Sequence, residues 1–153
     1  MSRVLVVNAG SSSVKLAVLD GDEVVTRESV DPGDAQDALG RLLGERVDAV
    51  GHRVVHGGTR FTGPALVDDD VVSGIEELRA LAPLHQHAAL RALRQARAAL
   101  PDVPQVACFD TAFHRTLPAA ASTYAVPPRW RAEFGVRRYG FHGLAHELSL
   151  IHI

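Results

Sequence analysis

The only asparagine of the chain and its only lysine flank a run of three serines, in Asn8-Ala-Gly-Ser-Ser-Ser-Val-Lys15. Gly10 allows a tight turn and close backbone approach to a ligand. Successive backbone N–H groups with the hydroxyls of Ser11, Ser12 and Ser13 form a concave set of donors suited to phosphate oxygens. Lys15 adds a point charge for a terminal phosphate. The Gly-x-x-x-x-Gly-Lys spacing of a Walker loop is absent and no helix follows, so the cradle is of another kind. A decorated hairpin is the plain alternative.

Three further stretches carry groups able to do chemistry. In Gly51-His-Arg-Val-Val-His-Gly-Gly58, Arg53 lies inside an apolar strand and therefore needs an anion. That anion is either a structural carboxylate or a substrate, since a planar guanidinium suits carboxylate and phosphate alike. In Cys108-Phe-Asp-Thr-Ala-Phe-His114, Asp110 ends a strand, where ligands gather in α/β sheets. Asp110 reads either as an acid near a magnesium-bound water or as a turn cap, and His114 as a surface or supporting residue. In Arg137-Arg-Tyr-Gly-Phe-His-Gly-Leu-Ala-His146, Gly140 and Gly143 bracket Phe141 and His142. His142 can donate to a phosphoryl oxygen. His142 and His146 also have zinc spacing, but the glutamate of the metalloprotease motif is missing. Asp68-Asp69-Asp70 reads as a solvated loop and helix start rather than a metal site.

These groups must be positioned by strands and loops. Residues 3–7, 14–19 and 23–30 have the short Val- and Leu-rich character of strands, with Asp20-Gly21-Asp22 as a hairpin turn, predicting an antiparallel meander. A helix is predicted over 34–43 with Asp34 as its cap, a buried strand over 48–55, and a short strand over 65–67. Ser73 and Glu76 have capping-box spacing near the start of a helix over 71–81, which Pro83 ends. Residues 86–100 form the clearest amphipathic helix, 105–109 a strand, 127–134 a short helix, and a further helix begins at His146. Strands followed by alternating helices and strands indicate an α/β or α+β domain with a mixed sheet.

At 153 residues, with 46% hydrophobic content and a net charge of −2, the chain is one soluble domain with a real core. The charge argues against a nucleic-acid binder, and no apolar run is long enough to cross a bilayer. A single cysteine, Cys108, excludes an intrachain disulfide and reads as a small buried hydrophobe. With no secretory leader visible, the cytoplasm is the expected compartment.

Taken in order, Asn8 to Lys15, Gly51 to Gly58, Leu81-Ala-Pro-Leu-His85, Phe109 to His114 and Arg138 to Gly143 resemble the acetate and propionate kinase family. The resemblance runs from Val4 to about His146. It implies an actin-like, sugar-kinase-like ATPase domain with an RNase H-like mixed sheet and flanking helices. It also implies phosphoryl transfer between ATP and a short carboxylate, with Mg2+ as cofactor. Under that resemblance Asn8 binds magnesium and phosphate, Ser11, Ser12 and Ser13 form the phosphate loop, and Lys15 contacts nucleotide. Arg53 holds the substrate carboxylate, Val55, Leu84 and Phe141 enclose its methyl group, and His85 lines the site. Asp110 is the catalytic acid near magnesium, and His142 stabilises the transferring phosphoryl group.

Family members are more than twice this length and dimerise when whole. Their second domain brings the adenosine pocket, another catalytic arginine and a magnesium-binding glutamate. Residues 1–147 are therefore expected to be an N-terminal domain, inactive alone, with 148–153 a truncated or foreign tail. The segment between Asp20 and Gly51 is shorter than the family's, and Gln86-His87-Ala88 stands where the family has Asn-Pro-Pro. Two other functions stay open at this point. One is propionate or butyrate kinase, since a methylene or two discriminates only modestly. The other is a non-catalytic actin-like nucleotide-binding module.

Overall fold

The computed structural model describes residues 2–42 and 46–151. β1 (Arg3–Ala9), β2 (Val14–Asp20) and β3 (Glu23–Val30) form the expected meander, each pair antiparallel. β4 (Ala49–Val54) then lies parallel to β1, and β6 (Gln105–Phe109) parallel to β4. The two-residue β5 (Ala65–Leu66) pairs antiparallel at the β6 edge, giving the order β3-β2-β1-β4-β6-β5. Parallel neighbours need crossovers, and helices supply them. α1 (Ala35–Leu42) follows the meander, while α2 (Asp69–Glu77) and α3 (Pro83–Ala99) connect β4 with β6. Residue 43, the last of the helix expected over 34–43, lies outside the described residues.

Strict alternation along the central strands gives the sheet two unlike faces. Leu5, Val7, Val14, Leu16, Val18 and Val50 are buried against Ala35, Ala38, Leu39, Ala88 and Ala92 of α1 and α3. Val54, Ala107 and Phe109 continue that face into a second cluster with Phe61, Ile75, Leu90 and Leu93. The other face presents Asn8, Lys15, Arg53 and Cys108, all half-buried or exposed. Cys108 is therefore not the fully buried hydrophobe expected. It stands opposite Arg53 in the β4–β6 register, and partial burial pushes its thiol pKa up.

Three local expectations change. The cap of α2 is Asp68, whose carboxylate accepts from the Val71 backbone N–H at 2.8 Å. Glu76 is no part of a capping box, because its two oxygens pair with Arg79 and Arg94. Asp69 and Asp70 are held by Arg97 and Arg60, as suits acids at a helix start. Pro83 opens α3 instead of merely closing the preceding 3-10 turn (Leu78–Leu81), since a first-turn proline loses no helical hydrogen bond. Beyond β6 the chain enters a 3-10 helix at Asp110–Thr116. It then forms α4 (Ala119–Ser122), α5 (Pro128–Phe134) and α6 (Gly143–Ile151). α6 begins three residues before the expected His146 and packs on the 3-10 helix and β6.

Candidate active site

The carboxyl ends of the three parallel strands β1, β4 and β6 converge on one edge of the sheet, where α/β proteins bind ligands. Register brings the chemistry together there. Asn8 pairs with Lys15 across the β1–β2 hairpin, and the parallel β1–β4 alignment sets Arg53 beside Asn8. Asp110 follows β6 directly. Arg53 Nε and Nη2 both donate to Asp110 Oδ2, at 3.1 and 2.7 Å, and Nη1 donates to Asn8 Oδ1 at 3.2 Å. The anion that Arg53 needs is therefore Asp110, whose side chain is 1% exposed against 31% for Arg53.

That pairing does not exhaust the guanidinium. An arginine has five N–H donors. Three are committed here, leaving one on each Nη for a ligand. Asp110 Oδ1 is buried and has no hydrogen-bond partner among the described residues. One buried carboxylate oxygen and two guanidinium N–H groups thus remain for outside partners.

The β1–β2 loop lies at the same edge. Gly10 N–H donates to the Ser13 carbonyl at 2.8 Å and closes the turn, leaving Ser11 and Ser12 exposed. Lys15 is also exposed. His142 is exposed, but its neighbour Gly143 is packed so tightly on the Asp110 carbonyl that a Cβ there would lie 1.9 Å from that oxygen. His142 itself has φ 55, the left-handed region unusual for a residue with a Cβ. Its carbonyl accepts from His146 N–H at 3.0 Å, which gives His146 a helical backbone role. Among the described residues no group of three or more His, Cys, Asp or Glu could hold a metal.

The structure divides the residues expected to line a carboxylate pocket. Phe141 meets the buried His56 ring edge-on at 5.6 Å, and Tyr139 does so at 4.5 Å. The three line an open cleft of about 490 Å³ with Leu78, Leu81 and Arg137. Val55 precedes His56 and is half-buried. Leu84 and His85 stand on the exposed side of the first turn of α3, Leu84 72% exposed, and neither lines that cleft.

Sequence alone assigns no role to His56 and sets Gln86 apart only as a departure from the family motif. His56 Nδ1 accepts from Gly58 N–H at 2.9 Å, an interaction open only to an unprotonated nitrogen. Burial lowers the His56 pKa from its ordinary 6.5. His52 is lowered for the same reason, partly offset by its 2.8 Å hydrogen bond to Gln105 Oε1. Both rings are thus held neutral in the fold, and the unfolded chain takes up the additional protons as pH falls. Their stabilising contribution is complete above about pH 6.5 and is lost progressively below it, toward the lower folded values. The melting temperature is expected to fall between about pH 7 and 5, and His52→Gln to flatten that slope in thermal melts. A slope unchanged by the substitution excludes His52 as a source.

Comparison with known proteins identifies the family and the fold. A family model described as the Acetokinase family matches residues 34–150. Acetate kinase of Arthrobacter sp. (strain FB24) is 45% identical over 170 aligned residues, covering 94% of this chain and 44% of that protein. Acetate kinase of Thermotoga maritima is 41% identical, covering 94% and 45%. A propionate kinase from Francisella tularensis superposes with a TM-score of 0.85 at 32% identity, over 95% of this chain and 46% of that one. Acetate kinase from Porphyromonas gingivalis gives 0.84 at 32% identity, with the same coverages. The chain spans less than half the length of the curated relatives it matches. Its mixed sheet with flanking helices is that of the acetate and propionate kinase structures, an actin-like ATPase fold.

Proposed function

Since this chain belongs to the acetokinase family, we propose that the whole protein transfers a phosphoryl group reversibly between ATP and acetate. The observation that supports this most is the Arg53 guanidinium, fixed by Asp110 and Asn8 with two N–H groups still free. Two parallel donors on a rigid plane match the two oxygens of a carboxylate. A carboxylate is already a nucleophile, so the site needs no strong base. Its work is in-line positioning and neutralisation of charge on the transferring group.

The residues of this chain divide that work. Arg53 orients the carboxylate. Phe141 and Val55 limit the room for its alkyl group, and His142 donates to a phosphoryl oxygen. The donors of Ser11, Ser12 and Ser13, with Lys15, hold nucleotide phosphates. The orphaned, buried Asp110 Oδ1 fits magnesium held through water, because this ion keeps most of its waters and takes few carboxylates. Asn8 lies within reach of the same group through Arg53. Magnesium, when bound, supplies positive charge to the phosphate oxygens. In this reading Leu84 and His85 meet the carboxylate from the first turn of α3, outside the cleft that Phe141 lines. The whole protein is taken as a cytoplasmic homodimer, by analogy with the family. Among the described residues, no helix is long and apolar enough to cross a membrane.

Propionate is the second candidate carboxylate, supported by the likeness to the Francisella tularensis propionate kinase. Hydroxamate trapping of acyl phosphate, with the whole protein, ATP, Mg2+ and either acid, tests the proposal. Acetyl hydroxamate is expected to exceed propionyl hydroxamate, and these 153 residues alone are expected to give little of either. ATP binding without any acyl phosphate would leave only the non-catalytic nucleotide-binding module.

A further inference from the structure

Gln86 is completely buried at the start of α3, yet its amide does not serve its own helix. Nε2 donates to the His56 carbonyl at 2.9 Å, and Oε1 accepts from the His56 backbone N–H at 3.4 Å. One side chain thus pairs with both backbone polar groups of one residue, as a neighbouring strand would. Its own backbone N–H is tied to the Ala82 carbonyl, so the amide is held from a helical turn that is itself fixed.

The position of this link gives it a meaning beyond packing. On one side it grips the turn after β4, where Val55 and His56 follow the strand that carries Arg53. On the other it belongs to the turn that carries Leu84 and His85. The His56 ring extends the chain of contacts to Tyr139 and Phe141, whose loop continues into His142 and Gly143. Three separate segments bear the groups assigned to the carboxylate, and Gln86 with His56 is where they meet. The nucleotide-side groups, Ser11 to Ser13 and Lys15, belong to the β1–β2 hairpin and share no hydrogen bond with Gln86.

We infer that Gln86 is a positioning residue for the carboxylate pocket: through the His56 backbone it sets the spacing of Val55, Leu84 and Phe141, and with it chain-length selectivity. This rests on the proposed carboxylate kinase activity. The Gln86 side chain is long enough for its amide to span from the first turn of α3 to both backbone groups of residue 56. Loss of the link frees the alkyl wall while the Arg53 anchor to Asp110 and Asn8 persists.

The test uses Gln86→Met, which keeps length without either hydrogen bond, and Gln86→Asn, which keeps the amide on a shorter stem. Initial rates with acetate and propionate at saturating ATP are measured on the whole protein, beside thermal melts. For Gln86→Met the KM for acetate is expected to rise about tenfold, and the acetate-to-propionate ratio of kcat/KM to fall by at least about threefold. The KM for ATP should stay within about twofold, and Gln86→Asn should restore part of the selectivity. A purely structural glutamine lowers the melting temperature and the active fraction but leaves KM and the ratio unmoved, and that result overturns the inference. Should neither variant fold, the wild-type side-chain amide resonances of Gln86 are followed by NMR during acetate titration. Their shift supports the link, and a saturating titration that leaves them still refutes it. A wild type that makes no acyl phosphate from either acid defeats the functional reading instead. In that case acetate that binds and shifts Gln86 still supports its positioning role, and absence of both binding and shift ends it.

Discussion

Arg53→Met is expected to cost about 3–5 kcal/mol of stability and to remove turnover in the same step. The stability loss follows from what the substitution leaves behind. Asp110 is 1% exposed, its Oδ2 receives two of the three Arg53 hydrogen bonds, and its Oδ1 has no partner among the described residues. Without Arg53 the buried carboxylate has no ion-pair partner among the described residues. Urea unfolding of this chain measures that loss, and a difference below about 1 kcal/mol would contradict the buried-pair account. The activity loss has a separate origin, since the two free guanidinium N–H groups go as well. Removing one preorganised electrostatic donor costs about 10²–10³ in kcat in comparable sites. The double variant Arg53→Met/Asp110→Leu separates the two effects. It removes both charges, so most stability is expected to return while activity does not, and the two substitutions are strongly non-additive. Arg53→Lys sits between, because a single ammonium replaces Arg53 as a charge but cannot span Asp110, Asn8 and a carboxylate together.

The same cluster shows how much the sequence discloses. Arg53 in an apolar strand demanded an anion, and the choice between salt bridge and substrate clamp stayed open. The structure joins the two: Asp110 takes the inner edge and two donors remain. That division depends on the β4–β6 register, which no local pattern encodes. The strands were legible because Val and Leu alternate with smaller or polar residues on a period of two. The starts of α1 and α5 were legible to within one residue, whereas that of α2 was not, because capping is decided by which competing side chain reaches a free N–H. Ser73 has the right spacing on paper, but Asp68 lies five residues nearer the preceding strand and accepts from Val71 N–H, so the helix is already under way at Ser73. Gln86 is the clearest illegible case. Its neighbours announce only an amphipathic helix. Its role arises from a partner 30 residues away, on the turn after another strand. The departure from Asn-Pro-Pro marked the place, without indicating that a longer amide would bridge it.

Gly143→Ala is expected to cost about 3 kcal/mol and to lower kcat about 10²-fold, although it adds one methyl group at a residue that is itself assigned no substrate contact. The added Cβ would lie 1.9 Å from the Asp110 carbonyl oxygen and 2.5 Å from Phe113 Cβ. Neither neighbour can rotate away. The first is backbone at the junction of β6 and its 3-10 helix, and the second is the root of a side chain. The start of α6 must therefore move off Asp110 by an ångström or more, and His142 moves with it. Strain at His142 raises the penalty, because its φ of 55 is sustained only by the packing on either side. Carboxylate binding depends on Arg53 and should change less than kcat, so KM for acetate is expected to stay within about threefold. Gly135 supplies the control: unlike Gly143 it has positive φ, at 61°, but a Cβ there meets nothing within 4 Å. Gly135→Ala should destabilise by only about 1 kcal/mol, through the φ penalty, and leave kcat near wild type. Equal losses of kcat in the two variants would mean that the approach of Gly143 to Asp110 is not what places His142.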